Sequence, residues 1–198
     1  MRIPSDLAIR SLHERLAPNP TALDLVHTHC VIVAEIAAQL IARDRLDVDA
    51  DLVRAGCLVH DIGVYRLYRP DGSLDHANYL QHGILGHELL RDLGFPEQLC
   101  RFCSCHTGVG ITRDDILRQS LPLPPADYIA QTAEERLVMY ADKFHSKSTP
   151  PKFLTAATYQ SEVIRFGHDK AATFAAMVTD YGEPDLELLA ATHGHVLV

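Results

Sequence analysis

The chain has 198 residues, 47% of them hydrophobic and 22% charged, which is the composition of a soluble globular protein with a sizeable core. Its formal net charge of −8, without a basic cluster, disfavours binding to a nucleic-acid backbone. We find neither an apolar run of membrane-spanning length nor a signal peptide. We therefore expect a cytoplasmic protein whose partners include no membrane and no nucleic-acid polymer.

Apolar periodicity predicts an all-α fold and a single domain over residues 1–198, with weak strand signals throughout. Pro18 to Thr21 is typical of a turn that leads into a helix, with Thr21 as the N-cap. Thr132 and Glu135 form a candidate capping box for a later helix. The predicted helices cover residues 21–40, 49–59, 83–93, 96–106, 132–144, 159–166 and 169–181, and the predicted connections cover 65–78 and 121–125.

Histidine is the unusual component of this chain, which contains twelve. His60 and Asp61 stand side by side at the end of the predicted helix 49–59, just before Gly63. Two adjacent side chains can share one ion where the backbone presents both to the same cavity, as at the end of a helix. Since histidine is the commonest metal ligand, this doublet predicts a metal site if further ligands lie elsewhere.

Further candidate ligands occur on four other segments, each flanked by apolar residues. His29 is the polar member of the apolar stripe of the first predicted helix, whereas His27 lies two residues away and cannot share that face. An unpaired polar group in such surroundings would be costly, and a shared metal centre would compensate several of them together. The remaining candidates are His82, which competes with His76 and His87, then His106 and Asp142.

This ordered set resembles the HD superfamily of metal-dependent phosphohydrolases, over roughly residues 22–147. His29 matches the first histidine of the family, His60-Asp61-Ile62-Gly63 the doublet, and Asp142 the last ligand. His82, followed four residues on by Gly86, and His106 match the two histidines that some members add. The resemblance is closest to small stand-alone proteins of the HDIG type. It implies a helical HD bundle over about 22–147, followed by a helical C-terminal extension over about 152–198.

The resemblance also implies a chemistry. Four histidines and two aspartates suit two divalent transition-metal ions, namely Fe, Mn, Zn, Co or Ni. Asp61 would bridge the ions and act in catalysis, with His29, His60 and Asp142 completing one site and His82 and His106 the other. A hydroxide bridging the two ions would cleave a phosphate ester or anhydride of a small metabolite, which we expect to be a nucleotide.

Several other residues are candidates for the substrate pocket. Lys143, beside a ligand, would contact a substrate phosphate or assist the leaving group. Arg66 and Arg69 after the doublet would bind substrate anions, unless they are ordinary surface arginines. His76 would either line the pocket or lie exposed in a loop. A homodimer is compatible with this class of protein.

Two other functions remain open at this point. Some HD-fold proteins with the same six ligands hold a di-iron centre that activates dioxygen, so an oxygenase is an alternative. If His82 or His106 points away, a single-metal 5'-nucleotidase is another. A degenerate nucleotide-sensing module is disfavoured because the full ligand set is present. Metal identity separates oxygen chemistry, which needs redox-active iron, from hydrolysis.

The remaining cysteines and histidines are expected to be structural. An odd number of cysteines fits reduced thiols. Cys100, Cys103 and Cys105 are expected to be small thiols on one helix, with either Cys103 or Cys105 exposed. The other predictions concern four histidines. His145 and His168 would either reach the substrate pocket or, as we expect, be solvated or cap a helix. His193 and His195 are expected to form a weak metal-affinity tail without consequence.

Overall fold

A computed structural model describes residues 3–44 and 46–198. Residues 1, 2 and 45 of the predicted single domain 1–198 lie outside the described part. The described chain is an α-helical bundle, as predicted, and it also contains one small sheet. The helices are α1 (Asp6–Leu16), α2 (Pro20–Asp44), α3 (Ala50–Val59), α4 (His82–Asp92), α5 (Glu97–Cys105), α6 (Arg113–Gln119), α7 (Ala133–Ala141), α8 (Ala156–Val163), α9 (His168–Tyr181) and α10 (Leu186–His193). Short 3₁₀ helices cover Ile62–Leu67, His76–Gln81, Asp142–Phe144 and Ile164–Phe166.

The long helix α2 forms the centre of the bundle and packs against α3 and α7. Its N-cap is Asn19, whose side chain accepts a hydrogen bond from the Ala22 amide at 2.8 Å, so the prediction of Thr21 as N-cap is wrong by two residues. By length and composition, residues 20–43 of α2 could cross a membrane, although we expected no apolar run of that length. The fully buried residues of α2, among them Val26, Val33 and Leu40, show that its apolar stripe faces the protein core.

Glycines allow three segments to approach one another closely, namely the turn after the His-Asp doublet, α4 and α5. A Cβ atom on Gly63 would lie 2.0 Å from the carbonyl oxygen of His82 and 2.3 Å from the amide nitrogen of Gly86. A Cβ atom on Gly83 would lie 2.8 Å from the Cys103 carbonyl oxygen. These contacts are with backbone atoms, which cannot rotate away. The glycines therefore bring the backbone that carries His82 beside the doublet.

We expect Gly63→Ala to destabilise the fold by more than about 3 kcal/mol, because the added methyl group overlaps two backbone atoms of α4. Urea unfolding followed by circular dichroism measures this loss. Gly72→Ala is the control, since Gly72 has φ +82° but open space around it, and should lose only about 1 kcal/mol of backbone strain. Equal losses in the two variants would contradict the close approach.

Three helices were not predicted from the sequence: α1, α6 and α10. Helix α6 lies between the predicted helix 96–106 and the predicted connection 121–125, and it begins with a complete capping box between Thr112 and Asp115. The Thr132 box is only half formed, because the side chain of Glu135 accepts from Gln131 and pairs with Arg101 on α5 instead. This bidentate pair, with oxygen–nitrogen distances of 2.7 and 3.0 Å, joins α7 to α5.

A small sheet connects the region after α7 to the C-terminal residues. Its strands are β1 (His145–Ser146), β2 (Lys152–Phe153) and β3 (Val196–Leu197), in the order β1-β2-β3. β1 pairs antiparallel with β2, and β2 pairs parallel with β3, so residue 145 lies near residue 195 in space. One hydrophobic cluster extends from Ile9 on α1 to Leu189 on α10.

The cysteines of α5 are all buried, including both Cys103 and Cys105. Our expectation that one of these two thiols is exposed is therefore wrong. Helix α5 is covered on several sides: the Cys103 thiol donates to the Val59 carbonyl oxygen at 3.3 Å, whereas Cys105 lies near the Arg101–Glu135 pair. Burial raises the pKa of both thiols, which keeps them protonated and unreactive.

Candidate metal centre

Asp61 lies at the centre of a buried cluster of histidines and aspartates, and each of its two carboxylate oxygens faces a different group. Oδ2 lies 3.2 Å from Nε2 of His29 and 3.5 Å from Nε2 of His60. The same two nitrogens lie 2.9 and 3.4 Å from Oδ1 of Asp142. His29 comes from α2, the doublet from the end of α3, and Asp142 from the end of α7, so three segments far apart in sequence meet here.

The other carboxylate oxygen of Asp61 faces a second group. Oδ1 lies 3.4 Å from Nε2 of His82 and 3.5 Å from Nε2 of His106, and these two nitrogens are 3.0 Å apart. His82 begins α4 and His106 follows α5, so the close packing described above delivers both rings. The structure thus brings together all six residues predicted as ligands, in the two groups that the resemblance implies.

Hydrogen bonds on the opposite edges of the imidazoles orient these rings. Nδ1 of His60 lies 2.6 Å from the Cys57 carbonyl oxygen, and Nδ1 of His82 lies 2.7 Å from that of Tyr79. Nδ1 of His106 lies 3.0 Å from the Phe102 carbonyl oxygen. A carbonyl can only accept, so Nδ1 carries the proton in the neutral ring, and the lone pair on Nε2 points into the cluster.

The surroundings of the cluster favour ionised aspartates and neutral rings at His82 and His106. Burial disfavours the ionised form of Asp61, but the adjacent Lys147 ammonium and the His60 ring outweigh it and hold the pKa of Asp61 well below its usual range. Burial lowers the pKa of His82 to about 4 and also lowers that of His106, whereas the charge of Asp61 outweighs burial at His60 and raises the pKa of that ring. Ionised carboxylates and neutral imidazoles are the protonation states that bind metals.

The side chains of the cluster have the chemistry of ligands for divalent metal ions. Four imidazole nitrogens and two carboxylates are a mixed nitrogen and oxygen set that suits Mn, Fe, Co, Ni or Zn. Oδ1 of Asp61 is buried and accepts no hydrogen bond from the residues that the structure describes, which is costly unless a cation faces it. The donor atoms of His29, His60 and Asp142 also lie within 4.8 Å of one another.

A cavity of about 420 Å³, here called the metal-side cavity, opens above the cluster. It is lined by Asp61, Asp142, His82 and His106, together with Lys143, His76, Tyr79, Ser146, Lys147, Ser148 and Tyr159 among others. The predicted substrate residues Lys143 and His76 line it, with Lys143 buried and His76 exposed. Arg66 and Arg69 are exposed and absent from the described lining, and Arg69 pairs with Asp75 at 3.0 Å.

Lys147 is the functional candidate that sequence reasoning missed. Its ammonium contacts Oδ2 of Asp61 and lines the cavity between the hydroxyl-bearing Ser146 and Ser148. Burial lowers the pKa of Lys147, but the charge of Asp61 outweighs this and raises it, so Lys147 stays charged. It lies five residues after Asp142, in a segment without helical periodicity, and its spacing alone gave no signal.

His145 and His195 extend the ligand cluster toward the C-terminus, which corrects two of our expectations. His145 is buried rather than solvated, and its Nδ1 lies 2.9 Å from Nδ1 of His29. Nε2 of His145 lies 3.0 Å from Nδ1 of the half-buried His195. Unlike the other three ligand rings, His29 is thus oriented by a chain of two histidines. His193 also has a partner, Glu35 at 2.7 Å, while His168 is exposed as predicted.

We expect His145→Leu to lower metal affinity about 10- to 100-fold, because Nδ1 of His29 loses the group that fixes its ring. Metal titration of stripped protein, with a competing chelator, measures this change. The control is His168→Leu, which removes an exposed histidine and should leave the affinity unchanged. His145→Gln, which retains an acceptor, should recover part of the loss. An unchanged affinity in His145→Leu would show that the contact does not support the ligand.

The fold and the ligand cluster together define the class of protein. The chain matches the HD domain family over residues 26–147, which is more than half of its length, and it belongs to that family. The match includes all six clustered residues and begins within α2, three residues before His29. The resemblance that the sequence carried is therefore confirmed.

Three curated relatives match a similar portion of the chain. A protein of Methanocaldococcus jannaschii, described as uncharacterized, is 40% identical over 117 residues, which are 58% of this chain and 62% of that protein. The tRNA (cytidine(56)-2'-O)-methyltransferases of Picrophilus torridus and Thermoplasma volcanium are 34% and 30% identical. Those matches cover 62% and 61% of this chain but 32% of each enzyme. The chain thus spans less than two thirds of these relatives.

Solved structures with a similar fold include the HD domain of the phosphodiesterase PgpH from L. monocytogenes. It superposes with a TM-score of 0.51 at 17% identity, covering 96% of this chain and 88% of that one. The same domain in complex with cyclic-di-AMP gives a TM-score of 0.50 at 16% identity, covering 87% and 96%. At this identity the likeness is one of fold, and it agrees with the predicted all-α bundle.

Proposed function

We propose that this protein is a metal-dependent phosphohydrolase with two ions, which cleaves a phosphate ester or anhydride of a small metabolite, namely a nucleotide. The observation that carries the proposal is the position of Asp61, whose two oxygens face two separate groups of ligands. A carboxylate shared in this way is suited to hold two cations side by side. Membership of the HD domain family and the phosphodiesterase fold neighbours support a metal-dependent hydrolase.

Two lysines of the cavity would bind the phosphoryl group. Lys143 is held by Oδ2 of Asp142 at 2.6 Å and by the His106 carbonyl oxygen at 3.0 Å, so its ammonium stays beside the ligands. Lys147, which lies on a segment outside the helices, is in contact with Asp61. Lys143 is buried and Lys147 is half-buried, and both are cations in a cavity otherwise rich in carboxylates and imidazoles. They would offset the negative charge of a substrate in a protein whose net charge is −8.

The chain's own residues would position the substrate. Divalent ions, when bound, supply Lewis-acid stabilisation of phosphoryl oxygens and lower the pKa of water to near neutrality. The hydroxyl group of Ser146 lines the same cavity as Lys147 and can donate to phosphoryl oxygens, whereas that of Ser148 donates to the Pro150 carbonyl oxygen at 2.8 Å. Tyr79 and Tyr159 also line the cavity. Binding and orientation by these groups, with charge compensation, account for most catalysis in phosphoryl transfer.

The experiment that tests the proposal is element-resolved metal analysis of protein purified without chelators, followed by a screen of phosphate esters. We expect about two ions per chain and hydrolysis that stops on chelation and returns with the ions. Two irons per chain with oxygen uptake, and no phosphate release, would establish the di-iron oxygenase instead. One ion per chain, unaffected by His82→Ala or His106→Ala, would establish the single-metal nucleotidase.

We propose the partner and location on the same basis. A small phosphorylated substrate fits a cavity of about 420 Å³, which is within the usual range for small-molecule sites. We propose neither a nucleic-acid polymer nor a membrane as partner, and we propose a cytoplasmic location with a homodimer as the assembly to test. The matched region makes up only 32% of each tRNA methyltransferase, so we do not extend their activity to this chain.

A further inference from the structure

A second cavity adjoins the metal-side cavity. This second cavity, here called the apolar pocket, has a volume of about 290 Å³. Thr107, Gly108 and Tyr159 belong to the linings of both cavities. A molecule whose phosphate lies near the metal ligands would therefore reach the apolar pocket with its other end, passing Tyr159.

The walls of the apolar pocket are hydrophobic. They include Val109, Ile111, Leu121, Tyr159, Val163 and Phe166. Phe166 has 48% of its surface exposed, although large apolar side chains favour burial, whereas Val163 is buried. An exposed aromatic ring on the rim of a concave apolar surface is typical of a binding site.

The charged residues of the apolar pocket are already satisfied by one another. Nζ of Lys170 lies 2.5 Å from Oδ2 of Asp115 and donates to the Gly110 carbonyl oxygen at 2.9 Å. Asp115 also accepts from the amide and hydroxyl of Thr112, at 2.9 and 2.8 Å, and from Arg118 at 2.7 Å. Because the two charged side chains of the described lining, Asp115 and Lys170, pair with each other, the pocket offers little to a charged ligand. The occupant of the apolar pocket should therefore be uncharged.

The size and walls of the pocket favour a planar ring system. An apolar cavity of roughly 150 Å³ holds one benzene ring, and the apolar pocket has about 290 Å³. The lining contains two aromatic side chains, Tyr159 and Phe166. The Arg165 guanidinium lies over one face of Phe166, 4.7 Å from the ring centroid, which leaves its other face and its edge for packing against a flat ring. The exposed Gln119 also lines this pocket and can pair with the polar edge of a heterocycle.

We propose that the apolar pocket binds the organic part of the substrate, as an uncharged planar group of two rings, while the phosphate lies at the metal centre. This inference rests on the proposed function, because it uses the metal ligands as the anchor for the phosphate. It narrows the substrate class to phosphate esters that carry a bicyclic aromatic or purine-like group. Tyr159 and Phe166 are then specificity-determining residues.

The test measures binding of phosphonates, which resist hydrolysis, to the metal-loaded protein by calorimetry. Methylphosphonate, hexylphosphonate, 1-naphthylmethylphosphonate and a 5'-phosphonate analogue of adenosine share the anchor and differ in the organic part. We expect the naphthyl compound to bind at least about tenfold more tightly than methylphosphonate, which corresponds to about 1.4 kcal/mol. Phe166→Ala should reduce that preference about fivefold. The control is Ile164→Ala, a substitution in the same 3₁₀ turn at a residue 47% exposed and outside the described lining, which should not change it.

The outcomes distinguish this inference from the proposed function. If all phosphonates bind equally, the pocket inference is overturned while the hydrolase proposal stands. If hexylphosphonate binds as tightly as the naphthyl compound, the pocket takes chains rather than rings, and the inference is again overturned. If no phosphonate binds, both fail. Tight binding of the adenosine analogue that Gln119→Leu weakens, with the naphthyl compound unaffected, would identify the two rings as a nucleobase.

Discussion

Asp61→Asn is expected to reduce phosphatase activity at least about 1,000-fold and metal content from two ions to one or none. The amide keeps the shape of the side chain but removes the charge that would hold both cations, and it leaves only one good acceptor oxygen for two groups of ligands. Activity assays with mass-spectrometric metal analysis measure both effects. The helical circular dichroism spectrum should be retained, because the hydrophobic core is unaltered.

The control for this variant is Asp75→Asn. Asp75 lies at the edge of the site region, where it pairs with Arg69 and Asn78 rather than with any ligand. Its replacement should leave metal content and kcat within about twofold. If Asp61→Asn kept two ions and full activity, Asp61 would not be the shared ligand, and the assignment of the centre would be wrong.

Removal of the metals is expected to lower the melting temperature by about 5 to 10 °C. The six ligands join α2, the ends of α3, α5 and α7, and the start of α4, so ions bind the folded chain and not the unfolded one. A ligand present at 100 times its Kd stabilises by about 2.7 kcal/mol. In a protein of this size, 1 kcal/mol corresponds to roughly 2–4 °C. Scanning calorimetry before and after chelation measures the difference.

The Asp61→Asn protein supplies the control for this measurement. Because it should already lack at least one ion, chelation should change its melting temperature by less than half of the wild-type shift. Restoring the ions to stripped wild-type protein should recover the original value. A wild-type melting temperature that is unaffected by chelation would contradict a centre that joins these helices.

The sequence was sufficient to predict the helical class and the six clustered residues. Buried helices have a strong 3.6-residue period, and His29 or Asp142 on such a stripe is conspicuous because polar groups are rare there. The ordered ligands then identified the family. The pairing of His82 and His106 on one oxygen of Asp61 also agrees with what the resemblance implies.

The remaining features depend on contacts that leave little trace in the sequence. Lys147 and His145 lie in a short segment between α7 and β2, where no periodicity indicates which side chains point inward. His145 is buried because it pairs with β2 and contacts His29, and Lys147 is half-buried because it contacts Asp61; both contact residues are distant in sequence. Cys103 and Cys105 were misjudged for a similar reason: we assumed one covered face for α5, and the structure covers more than one.

The contact between His145 and His195 has a consequence for the order in which the centre matures. All six ligands leave the ribosome before His195, which follows Asp142 by about fifty residues. At 5–20 residues per second, a growing chain carries the complete ligand set for roughly 3 to 10 s before the residue that secures the His145 ring has been made. We therefore expect an ion that arrives in that interval to be held less firmly, because the His145 ring beside Nδ1 of His29 is not yet secured by His195.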